Sequence, residues 1–301
     1  MRLAMHQGTS RTAGYRRSLE GWARAGIRCV ELTDVALNPP GSDDSRLKGW
    51  ARAGIRCVEL TDVALDGFLA GDTLGGARRL LTDLGLEPVS AAAVLPDMWI
   101  PGPERAKSLE TWRQRCEQYA GLGVDRLYCP SITTRRVTVE DFAATPDCIR
   151  EAGEIARSFG LTAMIEFART STHLATLATT LQVIRAAGHP SVRPMLDFFH
   201  FFSGLSKLEE LDLLEHDELA HVHFQDLKAG PRELVDNDWR LVPGDGVAPV
   251  ATMLRKLAAK GYAGPLSVEL FRKEFVDGDP AAVAAMIRAK CEAVMHKAGV
   301  A

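Results

Sequence analysis

The feature that most constrains the fold is a regular alternation of short apolar runs and helix-like segments from Leu86 onward. The apolar runs are nearly continuous, which is typical of strands that are buried on both faces of a parallel sheet. The segments between them carry apolar residues three and four positions apart, and several end in glycine, as helices with a left-handed C-cap do. Six strands are predicted in this part of the chain, at about 89–94, 125–130, 163–167, 194–198, 220–225 and 265–270.

Two further strands are predicted nearer the N-terminus. "RLAMH" is one of them, and one copy of "RCVEL" is the other. Eight alternating β and α units, with a terminal helix that covers the first strand, predict an α/β protein. Its fold is predicted to be a single (β/α)8 TIM barrel that spans residues 1–301.

The seventeen-residue segment GWARAGIRCVELTDVAL occurs twice, at 21–37 and at 49–65. Each copy contains the end of a helix and the strand that follows, so one barrel unit is written twice with an offset of 28 residues. A closed barrel links its strand number to its shear and tilt, so a ninth strand is not easily inserted. We therefore expect one copy, within about 21–65, to be expelled as an insertion. The sequence does not identify which copy that is.

Composition and charge narrow the class of partner. The net charge is −3 and no run is rich in Lys or Arg, which argues against nucleic acid and against an anionic membrane. No apolar segment reaches transmembrane length, and "MRLAMHQGTS" lacks the core of a signal peptide. The six cysteines are scattered without a C-x-x-C pair, which is typical of a reducing compartment. We expect a soluble cytoplasmic protein.

Four side chains that can bind a metal end four consecutive predicted strands. They are Glu166 in "MIEF", Asp197 in "MLDFFH", His223 in "HVHFQD" and Glu269 in "SVELF". TIM barrels carry their chemistry at this end of the strands. Neighbouring strands are only about 4.8 Å apart, so these side chains can converge on one cation.

Each of the four also has an ordinary explanation when taken alone. Glu166 could pair with Arg169, Asp197 could cap a helix, His223 could be a core histidine and Glu269 could pair with Arg272. Three carboxylates that converge without partners would, however, cost several kcal/mol each. A shared divalent cation removes that cost for all three, so the sequence predicts a metal site.

Three more polar residues are predicted near the same end of the barrel. His221 lies two residues before His223 and faces the same way, so we expect it lower in the barrel with a structural role. His200 and Arg240 fall in loops over the mouth. Both are candidate substrate contacts, with ordinary loop positions as the alternative.

Four motifs, "DFFHFF", "HVHFQD", "WRLVPGDGVAP" and "GYAGPLSVELF", occur in this order. Together they resemble the xylose-isomerase-like sugar isomerase/epimerase superfamily. The likeness covers about 85–275 and is strongest to the 2-keto-myo-inositol isomerase branch, with the D-tagatose 3-epimerase type as a cousin.

The resemblance implies a specific set of site residues. It implies one divalent metal ion, commonly manganese, cobalt, magnesium or zinc, bound by Glu166, Asp197, His223 and Glu269. It implies substrate contacts at His200 and Arg240, and we add His6 at the end of the first strand as a candidate. The duplicated unit departs from the family pattern, so the role of Glu31 or Glu59 is not assigned.

The chemistry follows from an oxygen-rich ligand set. Such a site suits a cation that chelates a carbonyl and the adjacent hydroxyl, which makes the neighbouring C–H acidic and stabilises an enediolate. The resemblance assigns the proton transfers to Glu166 and Glu269. The predicted function is a metal-dependent isomerase or epimerase in carbohydrate metabolism that acts on a keto-sugar or keto-inositol. The exact substrate and a homo-oligomeric assembly are left open.

Three alternatives remain at this point. A metal-dependent lyase, an inosose-type dehydratase, would use the same ligands. A phosphodiester hydrolase of the endonuclease IV type would need further His and acidic ligands and a basic face for DNA, and the third and fourth strands, "VSAAAV" and "YCPSI", supply no such ligands. A barrel that binds a sugar without turning it over would not need the full quartet.

Overall fold

The computed structural model describes residues 1–5, 29–31, 57–83, 85, 87–277 and 280–301. Among these residues, the main sheet contains nine parallel strands: β1 (Arg2–Met5), β2 (Cys29–Glu31), β3 (Cys57–Thr61), β4 (Glu87–Ala92), β5 (Arg126–Pro130), β6 (Thr162–Glu166), β7 (Val192–Asp197), β8 (His221–His223) and β11 (Pro265–Val268). Two short strands, β9 (Asp226–Leu227) and β10 (Arg240–Leu241), form a separate antiparallel pair.

The strands of the main sheet follow the order β1-β11-β8-β7-β6-β5-β4-β3-β2. The two end strands, β1 and β2, lie side by side, so the sheet curves into a nearly closed barrel. The (β/α)8 TIM barrel with a duplicated helix–strand segment is therefore confirmed as the fold.

Helices alternate with these strands. In the described part of the chain they are α1 (Asp62–Leu69), α2 (Leu74–Asp83), α3 (Pro103–Leu122), α4 (Val139–Ser158), α5 (Leu177–Ala187), α6 (Phe198–Ser203), α7 (Val250–Ala259), α8 (Lys273–Val276) and α9 (Pro280–Ala298). Helix α9 packs against β1 and α7, as predicted for the terminal helix. The glycines that end α3 and α5, Gly123 and Gly188, have φ values of 87° and 61°, a left-handed conformation that favours glycine.

Both copies of the duplicated segment contribute a strand to the sheet. β2 and β3 pair in parallel, with Cys29 opposite Cys57 and Glu31 opposite Glu59. We expected one "RCVEL" strand to lie outside the barrel, and this expectation was wrong. The backbone of β2 pairs in parallel with the edge of β3, so both strands belong to the main sheet. The remainder of the predicted expelled unit, 21–28 and 32–56, lies outside the described residues. Its expulsion and the single-domain extent of 1–301 therefore remain predictions.

The interior of the barrel is closed below its mouth by a small cluster of buried side chains. Its members come from β4 to β7 and from the residue before β8: Ala92, Tyr128, Met164, Met195 and Ala220. Met164 and Met195 precede Glu166 and Asp197 by two positions and share their side of the sheet. This apolar layer supports the polar residues directly above it.

Candidate active site

The four predicted ligands lie together at the carboxyl ends of neighbouring strands. Glu166, Asp197 and His223 are the last residues of β6, β7 and β8, and Glu269 directly follows β11. All four are buried, with at most 8% of any of them exposed. They share this position because their strands are adjacent and parallel in the sheet.

The distances within this group suit one coordination shell. His223 Nδ1 is close to one oxygen of each acid, at 3.1 Å from Glu166 Oε1, 3.4 Å from Asp197 Oδ2 and 3.6 Å from Glu269 Oε2. Ligand atoms about 2.0–2.2 Å from a tetrahedral ion are about 3.4 Å from one another. Ligand atoms of Asp197, His223 and Glu269 lie within 4.8 Å of one another, and Glu166 forms a second such group with Asp197 and His200. Three carboxylates and one imidazole could therefore hold a divalent cation if these side chains move towards one another.

Asp197 uses its two oxygens differently. Oδ1 accepts a hydrogen bond from the backbone N–H of His200 at 2.7 Å, which caps α6. Oδ2 faces the cluster, where it accepts from Gln225 Nε2 at 2.7 Å and from Arg240 Nη1 at 2.8 Å. The sequence offers helix capping and metal binding as alternative roles for Asp197. The structure shows that the two roles are compatible, because each uses a different oxygen.

Arg240 lies inside the cluster and not only above it. Its Nη1 is 2.8 Å from Asp197 Oδ2 and 2.5 Å from Glu269 Oε2. The guanidinium packs over the rings of Phe199 and Phe271, at 4.2 and 5.1 Å from their centroids. This buried cation offsets part of the negative charge of the acids.

The position of Arg240 depends on a second buried carboxylate. Arg240 opposes Leu227 in the β9–β10 pair. The neighbouring Asp226 accepts hydrogen bonds from the N–H groups of Gly244, Gly246 and Ala248 at 2.9–3.0 Å. These bonds hold the "VPGDGVAP" loop against the strand pair that carries Arg240.

The acids of the cluster differ in pKa. Burial raises the pKa of Glu269 to about 7, since the cost of desolvation exceeds the attraction of Arg240 and His223. Burial also opposes ionisation of Asp197, but Arg240, His200 and His223 hold its pKa well below the usual value. Glu269 is therefore the carboxyl group of this pair that can gain and lose a proton near neutral pH.

The pKa of His223 is also shifted by its surroundings. Burial alone would lower its pKa, but Glu269 and the hydrogen-bonded carboxylates around the ring hold the pKa well above the usual value. A cation that binds Nδ1 competes with that proton.

The arginines that offered ordinary explanations for the acids have other partners. Arg272 forms an ion pair with Glu274 at 2.5 Å. Arg169 donates to the backbone carbonyls of Val235 and Arg232 at 3.2 and 3.0 Å. The rim ion pairs considered for Glu166 and Glu269 are therefore not needed to explain either acid.

A cavity of about 460 Å³ opens above the cluster and reaches Glu166, Glu269, Arg240 and His200. This volume falls in the range of small-molecule sites. Its wall on the side of β4 and β5 includes Val94, Ile132 and Tyr128. His200 and Arg240 both line this cavity. Their contact with a substrate remains a prediction. His6 lies outside the described residues, and its role remains a prediction.

Sequence reasoning left one buried acid unassigned. Glu59, in the second copy of the duplicated segment, is fully buried, and its Oε2 is 2.6 Å from His221 Nε2. Its Oε1 is 3.4 Å from His223 Nε2. The pattern "CVEL" around Glu59 matches "SVEL" around Glu269, and this likeness could have indicated a strand-end acid that faces the barrel interior.

Comparison with known sequences gives two groups of enzymes. A family model described as "Xylose isomerase-like TIM barrel" matches residues 23–290. The inosose isomerase of Halalkalibacterium halodurans is 27% identical over 148 residues, which cover 48% of this chain and 52% of that protein. The 3-dehydroshikimate dehydratase of Pseudomonas putida is 27% identical over 172 residues, covering 56% of this chain and 27% of that protein. The matched part spans 52–61% of the length of the inosose isomerases.

Solved structures show the same fold. The IolI protein, whose structure holds a zinc atom, superposes with a TM-score of 0.82 at 18% identity over 99% of both chains. An L-ribulose 3-epimerase superposes with a TM-score of 0.72 at 19% identity, covering 99% of this chain and 95% of that chain. At this identity the likeness supports the barrel architecture alone.

Proposed function

The chain belongs to the xylose isomerase-like TIM barrel family, and from this premise we propose that it is a divalent-metal-dependent isomerase or epimerase of a keto-sugar or keto-inositol. The observation that carries the proposal is the approach of three carboxylates to His223 Nδ1 at 3.1–3.6 Å beside the cavity. The inosose isomerase relatives support the reaction class.

Glu166, Asp197, His223 and Glu269 are the residues that would hold the ion. When bound there, a divalent cation supplies Lewis acidity, which makes the C–H beside a substrate carbonyl easier to deprotonate. Manganese, cobalt, magnesium and zinc all accept a donor set of this kind. The zinc atom in the IolI structure supports a divalent metal ion at this site. Metal analysis of the purified protein would identify the ion.

Two carboxylates would move the proton. Glu269 lines the cavity, and its carboxyl group can act as a base or an acid towards a bound substrate. Glu166 also lines the cavity and lies on the opposite side of His223 in strand order. A substrate between them would lose a proton to one and regain it from the other. His200 and Arg240 would contact the oxygens of the substrate.

The charges around the cavity favour a neutral polyol. Arg169 and Arg240 both line the cavity. Both Nη atoms of Arg169 donate to backbone carbonyls, and Nη1 of Arg240 donates to two buried carboxylates, which leaves Nη2 of Arg240, 3.4 Å from His200 Nε2, as the guanidinium nitrogen that can contact a substrate oxygen. Among the described lining residues, no other lysine or arginine is present to bind a phosphate or a carboxylate group. We therefore infer a substrate without an anionic group.

A lyase that dehydrates a keto-polyol remains the second candidate. The dehydratase relatives support it, and it would use the same four ligands. The endonuclease IV-type reaction has less support, because Val94, Ile132 and Tyr128 form the wall where further metal ligands would be needed. Loss of water from the substrate would distinguish the lyase from an isomerase or epimerase.

The test is solvent deuterium exchange into a panel of neutral keto-polyols, with metal-loaded protein. We expect deuterium at the carbon beside the carbonyl, and Glu269→Gln should reduce the exchange rate by about 10²–10⁴-fold, as loss of a general base does. Glu274→Gln, which changes a half-exposed surface acid, is the matched control. Metal content is measured for each variant. The proposal fails if turnover does not depend on metal or if Glu269→Gln exchanges at the wild-type rate.

The cytoplasmic location also remains a proposal. It is supported by Cys116, Cys129, Cys148 and Cys291, which are free and buried. Within the described ranges, no helix has the length and apolar character needed to cross a bilayer. We propose a small polyol as the partner, not nucleic acid or a membrane, and a homo-oligomer remains compatible with this proposal.

A further inference from the structure

The buried hydrogen bond between Glu59 and His221 lies directly beneath the proposed metal site, and no step of the proposed reaction uses it. We propose that Glu59 is a positioning residue that orients His223 for metal binding, and that this role belongs to the second copy of the duplicated segment. The inference rests on the metal site of the proposed function.

The two nitrogens of the His223 ring face different carboxylates. Nδ1 faces the three acids of the cluster, whereas Nε2 is 3.4 Å from Glu59 Oε1. A neutral imidazole carries its proton on one nitrogen only. A carboxylate at Nε2 favours the proton there and leaves the lone pair of Nδ1 directed at the metal site, the arrangement found for most metal-binding histidines.

Glu59 is itself held in place. Its Oε2 is 2.6 Å from Nε2 of His221, which lies two residues before His223 on β8. Both histidines and Glu59 are fully buried. The Tyr128 ring packs edge-on against His223, with centroids 5.4 Å apart at an interplanar angle of 87°. The orientation of the His223 ring is therefore fixed from below by Glu59 and from the side by Tyr128.

The duplication offers two candidates for this role. Glu31 and Glu59 have the same sequence context, and their Cα atoms are register partners on adjacent strands. Of the contacts that the structure describes, the one with Nε2 of His221 is made by Oε2 of Glu59, in the second copy.

The experiment compares Glu59→Gln with Glu31→Gln, a control that the duplication itself supplies. The probe is Co²⁺, titrated into metal-free protein and followed by calorimetry and by the visible absorption of the bound ion. We expect Glu59→Gln to raise the dissociation constant for Co²⁺ by about 10–100-fold and to alter the spectrum, as loss of an outer hydrogen-bond partner does. Glu31→Gln should match the wild-type protein in both readouts.

A purely structural role for Glu59 would lower the stability without changing the Co²⁺ spectrum of the folded protein. If Glu59→Gln does not fold, Glu59→Asp is the second variant. It keeps the carboxylate but moves it away from His223 by one methylene, so it should weaken Co²⁺ binding less than Glu59→Gln. Wild-type affinity in the folded Glu59 variants, or equal weakening by Glu31→Gln, would overturn the inference. Wild-type protein that binds Co²⁺ but lacks turnover would remove the proposed activity alone, whereas absence of Co²⁺ binding would remove both.

Discussion

Single residues show that burial opposes charge, and that the sign of the pKa shift depends on the type of group and on its partners. Burial raises the pKa of the Glu269 carboxyl to about 7 and lowers the pKa of the His173 imidazole to about 4. Asp197 is as buried as either, yet Arg240 and two histidines hold its pKa well below the usual value. Glu269 is therefore suited to proton transfer and Asp197 to permanent charge.

His173 makes the stability of the fold depend on pH. Thr145 Oγ1 donates to the carbonyl of Asp141, so it accepts from Nε2–H of His173 at 2.8 Å, and burial of the ring favours its neutral form. The unfolded chain binds a proton at His173 below about pH 6.5, whereas the folded chain resists it down to about pH 4. The stability present above pH 6.5 is therefore lost as the pH falls, by about 2 kcal/mol between pH 7 and pH 5.

Urea unfolding at these two pH values measures the effect. His173→Gln keeps a hydrogen-bond donor and should lose less stability on acidification than the wild-type protein does. His216→Gln changes an exposed histidine and should behave as the wild type does. Equal acid sensitivity of His173→Gln and wild type would contradict the assignment.

The same scale shows what the sequence can and cannot predict. Glu166, Asp197, His223 and Glu269 could be predicted as neighbours, because parallel strands bring their carboxyl ends to one edge of the barrel. The insertion of Arg240 between two acids could not be predicted, since it depends on how Asp226 folds a loop about twenty residues downstream. The sequence does not distinguish Glu59 from Glu31, because the two acids have an identical context.

At the scale of elements, the duplicated strand is the unusual feature. β2 and β3 pair with matching residues opposite each other, so the sheet of the described residues has one strand more than a (β/α)8 barrel requires. Strand number, shear and tilt are linked in a closed barrel. Among the described strands, β1 contacts both β2 and β3 but pairs in the sheet only with β11. The sequence could identify the duplication but not the pairing of its two copies. Both copies have the same strand propensity, so their sequences do not indicate whether one or both join the sheet.

Removal of residues 21–48 tests this account. Because the copies are identical, any in-phase deletion of 28 residues within the repeat gives the same chain, which retains one "RCVEL" strand and one acid. We expect a free energy of unfolding at least equal to that of the full chain, since β1 and the retained strand can close an eight-stranded barrel. Denaturant unfolding measures it. Insoluble protein or a lower free energy of unfolding would show that both copies are required.

At the scale of the whole molecule, the alternation of strands and helices determines where chemistry can occur. Eight of the strands were predictable from short apolar runs, and the terminal helix α9 lies where predicted. The walls of the cavity were less predictable, because they come from loops and strand ends such as Val94, Ile132 and Phe271, whose positions no periodic pattern specifies.

The measurement that tests the central claim most directly is anomalous X-ray diffraction from crystals of the protein loaded with Zn²⁺. A single strong peak should lie about 2.0–2.2 Å from His223 Nδ1 and from one oxygen each of Glu166, Asp197 and Glu269. The absence of a peak among these four side chains, or a peak held by other residues, would contradict the shared metal site and the function built on it.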